Sequence, residues 1–207
     1  VVVLVEDALP GQLVRARVAA VRKSLAEAAL VEVLERSPDE QEPPCPHAGR
    51  CGGCSWQSLA YGRQLAWKER IVHDALERVG KVACPPMLPI LPSPSEWGYR
   101  NKMEFAFGVS GDGGKAIGLR ERGSRNIVEV TGCLLQTPLT MRVLEAVRML
   151  SNGAFHDLDG RFLVVREPNA GGCFVELIVG AGGSLEAGER FAELSLIHIS
   201  EPTRRRG

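Results

Sequence analysis

The stretch CPHAGRCGGCSWQ occupies residues 45–57 and places Cys45, Cys51 and Cys54 in the spacing C-x5-C-x2-C. Thiolates are soft ligands that bind zinc, copper(I) or iron–sulfur iron, and clustered cysteines with x2 spacing are typical of metal sites. Three glycines in the stretch permit tight turns, so that several sulfurs can converge on one centre. We therefore predict a metal site on this loop.

The spacing leaves the metal and the fourth ligand open. Zinc sites usually combine two C-x2-C halves, and this stretch contains one. Ferredoxin-type clusters use a run of three cysteines plus a distant fourth, although the x5 spacing matches neither standard run. The candidates for a fourth ligand are Cys84, Cys133 and Cys173.

The longer stretch CPHAGRCGGCSWQSLAYGRQLAWKERI resembles the iron–sulfur segment of the RNA (uracil-5-)-methyltransferases, in particular the branch that acts on bacterial 23S rRNA. Gln57, Gln64 and Lys68 stand at the positions that match the family's glutamines and lysine. The resemblance continues through YRNKMEF (residues 99–105) and IGLRERGSRNIVEVTGC (residues 117–133). It covers most of residues 1–193.

The resemblance implies a ligand set and a chemistry. A [4Fe–4S] cluster would be held by Cys45, Cys51, Cys54 and Cys133, the last of which follows a strand. The parent enzyme would methylate C5 of a uridine in rRNA with S-adenosylmethionine, after a cysteine thiolate adds to C6 and before a base removes the C5 proton. The family builds those groups on a Rossmann-like domain whose motifs this sequence lacks, so we assign no catalytic or cofactor-binding residue.

Two other kinds of protein would share the cysteine loop, namely a non-enzymatic Cys-zinc module that binds RNA and a ferredoxin-like electron carrier. The family also has a tRNA-modifying branch, most of whose members lack the cysteine cluster. Low aromatic content and the x5 spacing disfavour the electron carrier. Measuring the bound metal separates the three kinds.

Composition sets the outer bounds. A hydrophobic content of 44% over 207 residues supports real cores, and no apolar run is long enough to span a membrane. The N-terminus lacks the basic region of a signal peptide, and clustered cysteines without an export signal indicate a reducing compartment. We expect a cytoplasmic monomer with no membrane association.

The expected fold class is α+β, in four parts. The resemblance implies that residues 1–40 form a partial TRAM domain, an OB-like β-barrel, and that residues 41–90 form the iron–sulfur loop and a helix. It implies that residues 91–193 form a central α+β RNA-binding domain, in which we expect an antiparallel sheet. Residues 194–207, LSLIHISEPTRRRG, look like a translated sequencing-library adapter. The chain is thus expected to be a fragment that lacks the Rossmann-like methyltransferase domain.

Local patterns predict most of the individual elements. Strands are expected at residues 1–5 and 13–21, and a helix over residues 58–79 that Gly80 caps. Residues 25–35 fit either a helix, by their alanines, or a strand, by weak alternation, and the resemblance to a TRAM domain implies a strand. An antiparallel meander is expected at residues 99–107, 115–120 and 126–130, then a helix over residues 138–151. A second hairpin is expected at residues 161–166 and 173–179.

Two further patterns concern binding. Residues 99–107 alternate so that Arg100 and Lys102 face away from the apolar side chains, and we predict that both contact RNA phosphates. The stretch VELIVGAGG at residues 175–183 resembles the strand and Gly-x-Gly turn of a nucleotide-binding unit. The preceding hairpin favours an ordinary antiparallel strand instead.

Overall fold

The computed structural model describes residues 2–83, 86–152, 159–169, 171–180 and 189. Those residues form an α+β fold with two β-sheets. The chain divides into two compact units, which we call the N-terminal unit (Val1–Ala48 and Cys54–Pro94) and the central unit (Gly49–Gly53 and Ser95–Gly207). Within the described ranges no helix is long and apolar enough to cross a bilayer.

A three-stranded sheet opens the N-terminal unit, with the predicted strands at β1 (Val2–Glu6), β2 (Leu13–Val21) and β3 (Leu25–Glu35). The order is β1-β3-β2, with β1 parallel and β2 antiparallel to β3. The turn between β1 and β2 requires Gly11, whose φ is +86° and whose added Cβ would lie 2.9 Å from Ser37 Oγ. The OB-like barrel itself stays a prediction.

A helix follows the cysteine loop in the N-terminal unit. Helix α1 (Tyr61–Asp74) continues as a π-helical turn, Ala75–Val79, so the predicted end at residue 79 is confirmed. The predicted start at residue 58 is three residues early, because residues 58–60 bond to the 39–41 segment instead. The Gln41 N–H donates to the Ser58 carbonyl (2.9 Å), and the Ala60 N–H donates to the Asp39 carbonyl (3.0 Å).

A five-stranded antiparallel sheet forms the central unit, in the order β6-β5-β4-β7-β8. Its strands are β4 (Lys102–Val109), β5 (Lys115–Arg120), β6 (Ile127–Val128), β7 (Gly160–Arg166) and β8 (Phe174–Val179). The meander and the second hairpin are therefore confirmed.

The predicted bounds of two strands were wrong. Strand β4 starts at Lys102 instead of residue 99, because the N–H groups of Gly98 and Arg100 donate to the Leu134 and Leu135 carbonyls instead of to a neighbouring strand. Strand β6 covers two residues of the predicted 126–130, and the carbonyl of Val130 accepts from a side chain of the next helix.

The helix predicted over residues 138–151 is confirmed as α2 (Pro138–Asn152), which packs its apolar stripe against one face of this sheet. Thr137 caps it, since the Thr140 N–H donates to Thr137 Oγ1 (3.2 Å). The core between helix and sheet includes side chains that are fully buried: Phe105, Val143, Leu144, Val147, Leu163 and Val165. This packing makes the central unit the better buried of the two.

Candidate functional site

The middle of the cysteine loop is an extra strand-like segment of the central unit. The Gly52 N–H donates to the Arg120 carbonyl (2.9 Å), and the Arg122 N–H donates to the Arg50 carbonyl (2.9 Å). Cys51 thereby bridges to Glu121 in antiparallel fashion. A Cβ on Gly52 would lie 3.1 Å from the Arg120 carbonyl, so glycine allows this close approach.

Cys51 has surroundings that suit a metal-bound thiolate. Its Sγ accepts the Gly53 N–H at 3.4 Å, and the side chain is half-buried against the core of the central unit. Backbone N–H groups that donate to sulfur stabilise the negative charge of a ligating thiolate. The local fold therefore prepares Cys51 to be a ligand.

Cys133 belongs to the same unit and packs, half-buried, against the same core as Cys51. Its turn is closed by the Gln136 N–H, which donates to the Cys133 carbonyl (3.0 Å). Both polar atoms of the buried Gln136 side chain lack a hydrogen-bond partner in the part of the chain that the structure describes. A buried amide without a partner is costly, and an amide N–H is a donor that cluster sulfur can accept.

Arg148 holds the segment before Cys133 and was not found by sequence reasoning. Its Nη2 donates to the carbonyls of Ile117 (3.0 Å) and Val130 (3.4 Å), and its side chain is 13% exposed. Glu129 and Glu145 balance its charge at 3.4 and 3.1 Å. The only local signal is the Glu145–Arg148 spacing, which is common on solvated helix faces.

Cys45 and Cys54 belong to the N-terminal unit, and both are half-buried. The Ala48 N–H donates to the Cys45 carbonyl (3.0 Å), which closes a turn. Beyond Cys54, the Gln64 side chain donates to the Trp56 and Leu59 carbonyls (3.0 and 2.8 Å), so Gln64 fastens the end of the loop to α1. Of the other two residues that match the family's segment, Lys68 is exposed and Gln57 is half-buried.

The four predicted ligands are thus divided two and two between the units. Among the described residues, no group of three or more His, Cys, Asp and Glu side chains is close enough to hold a metal ion. The ligand set Cys45, Cys51, Cys54 and Cys133 stays a prediction.

The remaining cysteines were the other candidates for the fourth ligand. Cys84 lies outside the described residues. Cys173 packs against the core of the central unit, where burial raises the pKa of its thiol, Glu167 raises that pKa further and Arg142 opposes the rise. A raised pKa keeps the thiol protonated near neutral pH, which disfavours both ligation and nucleophilic attack.

The two predicted RNA contacts lie at the start of β4. Lys102 and Glu104 are exposed while Met103 and Phe105 are buried, which confirms the predicted alternation. Arg100 precedes the strand and is half-buried, so the alternation places Lys102 but does not extend to Arg100. Neither prediction of RNA contact is tested by the fold.

The Gly-x-Gly stretch follows β8, which pairs antiparallel with β7. A nucleotide-binding unit of the Rossmann type would need a parallel strand at this point. The antiparallel pairing agrees with the predicted hairpin, and residues 181–183 lie outside the described residues.

Comparison with known proteins gives clear relatives, although no family model matches the chain. The chain is 47% identical over 186 residues to an RNA methyltransferase of Nitratidesulfovibrio vulgaris, which covers 86% of the chain and 40% of the relative. It is 37% identical over 205 residues to an RNA methyltransferase of Caldanaerobacter subterraneus. That match covers 95% of the chain and 45% of the relative.

A third relative has a defined specificity. The chain is 40% identical over 138 residues, or 66% of its length, to the 23S rRNA (uracil(1939)-C(5))-methyltransferase RlmD of Xanthomonas oryzae, of which it covers 31%. The chain therefore spans less than half the length of each of these three curated relatives.

Proposed function

The chain belongs to the RNA uracil-5-methyltransferase family, and from that premise we propose that the natural protein containing it methylates C5 of a uridine, most specifically in 23S rRNA. The observation that carries this proposal is the similarity to RNA methyltransferases over most of the chain, with a uridine-specific rRNA enzyme among them. S-adenosylmethionine, when bound, supplies the electrophilic methyl group. The chain itself contributes metal binding and RNA recognition.

The proposed metal group is a [4Fe–4S] cluster ligated by Cys45, Cys51, Cys54 and Cys133. Support comes from the C-x5-C-x2-C spacing and from the local surroundings of two of the thiols. The N–H donor to Cys51 and the buried amide of Gln136 near Cys133 suit a polarisable anionic sulfur site. These four thiolates would hold the cluster, and its ligation would contribute folding free energy to the segments that carry them.

The proposed RNA contacts are Arg100 and Lys102, which bind phosphates. Lys102 is exposed at the start of β4, where a flexible ammonium can reach a phosphate without loss of core packing. Phosphate contacts fix orientation and register on the RNA without reading its sequence. Removing both cations is expected to weaken RNA affinity at every sequence and to flatten its salt dependence.

No cysteine of this chain has a catalytic role in this proposal. Methyl transfer to uridine C5 requires a nucleophile, a base and a cofactor site within hydrogen-bond reach. Four cysteines are committed to metal, and the raised pKa of Cys173 makes its thiolate scarce. We expect the 207-residue chain alone to transfer no methyl group from labelled S-adenosylmethionine to rRNA, and turnover would contradict this assignment.

Metal analysis of anaerobically purified protein tests the proposal. About four irons and four sulfides per chain are expected for a [4Fe–4S] cluster. Cys133→Ala should lose iron, whereas Cys173→Ala, which alters a cysteine packed against the same core, should retain it. One zinc per chain without sulfide would instead support the Cys-zinc RNA-binding module.

A further inference from the structure

One row of side chains crosses three strands at the end of the central sheet. The strand register sets Lys102 opposite Arg166 and Arg166 opposite Phe174. Residues directly opposite in antiparallel strands present their side chains to the same face. The next row, Met103, Val165 and Val175, packs into the core with α2, so the first row lies on the opposite face.

The three side chains of this row are exposed to solvent. Phe174 is 70% exposed, although large aromatic side chains are usually buried and the chain has only six phenylalanines. A single exposed aromatic residue on a protein surface is ordinary. What distinguishes Phe174 is its alignment with two cations, because an aromatic ring beside Arg and Lys is the combination that binds unpaired nucleotides.

The charges of the row are left unbalanced. Two cations directly opposite one another repel, and neither Lys102 nor Arg166 forms an ion pair within the described ranges. The nearest acids on this face are Glu104 and Glu176, which flank the buried Val164 in the next outward-facing row. The row of Lys102, Arg166 and Phe174 therefore favours an anion, whereas the row that contains Glu104 and Glu176 disfavours one.

We propose that this row binds single-stranded RNA, with an unpaired base stacked on Phe174 and phosphates held by Arg166 and Lys102. The proposal rests on the proposed RNA-modifying function and adds Arg166 and Phe174 to its binding surface. Two strand spacings make the row about 10 Å long, which suits a short run of nucleotides. Stacking tolerates any base, so the row contributes affinity for unpaired RNA and little sequence preference.

The test measures binding of the full 207-residue chain to a fluorescein-labelled single-stranded oligouridylate by fluorescence anisotropy. Phe174→Ala should weaken affinity about tenfold, with an unchanged slope of log affinity against log salt. Phe174→Tyr should retain affinity because it keeps the ring. Ile178→Ala, an exposed residue on the same face of the same strand, is the matched control and should have no effect.

The cations are tested through the salt dependence. Arg166→Ala should reduce the salt slope by about 0.7, the amount expected for one phosphate contact on a single strand. Arg161→Ala, at the other end of β7, removes an equal charge and should leave the slope unchanged. Circular dichroism of each variant checks that the sheet is intact, as the exposure of the altered residues leads us to expect.

Several outcomes would overturn the inference. They are an affinity of Phe174→Ala within twofold of the original chain, an equal loss on a ribose-phosphate oligomer that has no bases, or preferred binding of duplex RNA. Each of these leaves RNA binding by the chain intact. If the original chain binds neither the oligouridylate nor rRNA, the RNA-recognition part of the proposed function fails as well.

Discussion

The two sheets of this protein bury apolar side chains to very different degrees. In the central unit, α2 covers one face of the sheet and Phe105 and Leu163 are 0% exposed. In the N-terminal unit, the described apolar residues that are buried are Ala26, Ala28 and Leu59. Many apolar side chains of β1, β2 and β3 are exposed: Val2, Val3, Leu4, Leu13, Val18, Val21, Val31 and Leu34.

This difference shows where each unit obtains its stability. Burial of large apolar side chains stabilises the central unit directly, at roughly 25 cal/mol per Å². The N-terminal unit buries mainly small residues, so its stability must depend more on other interactions. In our proposal Cys45 and Cys54 supply one of them, because metal ligation contributes folding free energy that a small core lacks.

Metal removal is expected to have the largest effect. It should destabilise the N-terminal unit much more than the central unit. Chelation of the proposed cluster should abolish hydrogen-exchange protection in β1–β3, while protection in β4, β5 and β7 persists on the strength of their own core. Hydrogen exchange with mass spectrometry measures both regions in one sample. Equal protection of both sheets before and after chelation would contradict the proposed dependence.

Deletion of a core side chain should show the same contrast within the chain. Phe105→Ala removes a fully buried ring and should reduce the free energy of unfolding of the central unit by about 3–5 kcal/mol. Leu4→Ala, at a position that is 55% exposed in β1, should change stability by less than about 0.5 kcal/mol. Urea titration followed by circular dichroism compares them, and similar losses would refute the contrast.

Substitution of one arginine in each unit should have an effect of intermediate size on stability. Arg148→Met leaves the Ile117 and Val130 carbonyls without their donor and should cost about 2 kcal/mol, because hydrogen bonds from a charged group to buried acceptors are among the strong ones. Arg15→Met breaks an exposed ion pair with Glu32 and should cost at most about 0.5 kcal/mol. Thermal unfolding of each variant measures the difference, and a larger loss for Arg15→Met would reverse the expected order.

The smallest expected effect concerns pH. Burial raises the pKa of Cys173 above its ordinary value of 9.0, so the fold favours the protonated thiol. This contribution to stability is present below that value and is lost as the pH rises through the raised pKa. The melting temperature of the original chain should therefore fall slightly more than that of Cys173→Ala between about pH 8.5 and pH 10.5. Parallel pH profiles would show that Cys173 does not contribute.

Local elements could be predicted because their causes are local. Alternation of Met103 and Phe105 with Lys102 and Glu104 predicted the faces of β4, and Pro138, which suits the first turn of a helix, marked the start of α2. Errors occurred at element ends, where distant partners decide. Strand β4 starts late because residues 98–100 bond to the segment after Cys133, and no spacing in the sequence announces that pairing.

The sequence by itself indicated the family and predicted a metal site on the cysteine loop, because thiolate spacing and residue identity are local properties of the chain. Only the tertiary structure decided that Cys51 bridges to Glu121 just after the end of β5 and that Arg148 donates to the carbonyl of Val130 before Cys133. It also decided that Lys102, Arg166 and Phe174 form one row. The physical reason is register. Pairing between strands that are far apart in sequence is set by packing against a shared core, and a shift of one residue would turn every side chain to the other face.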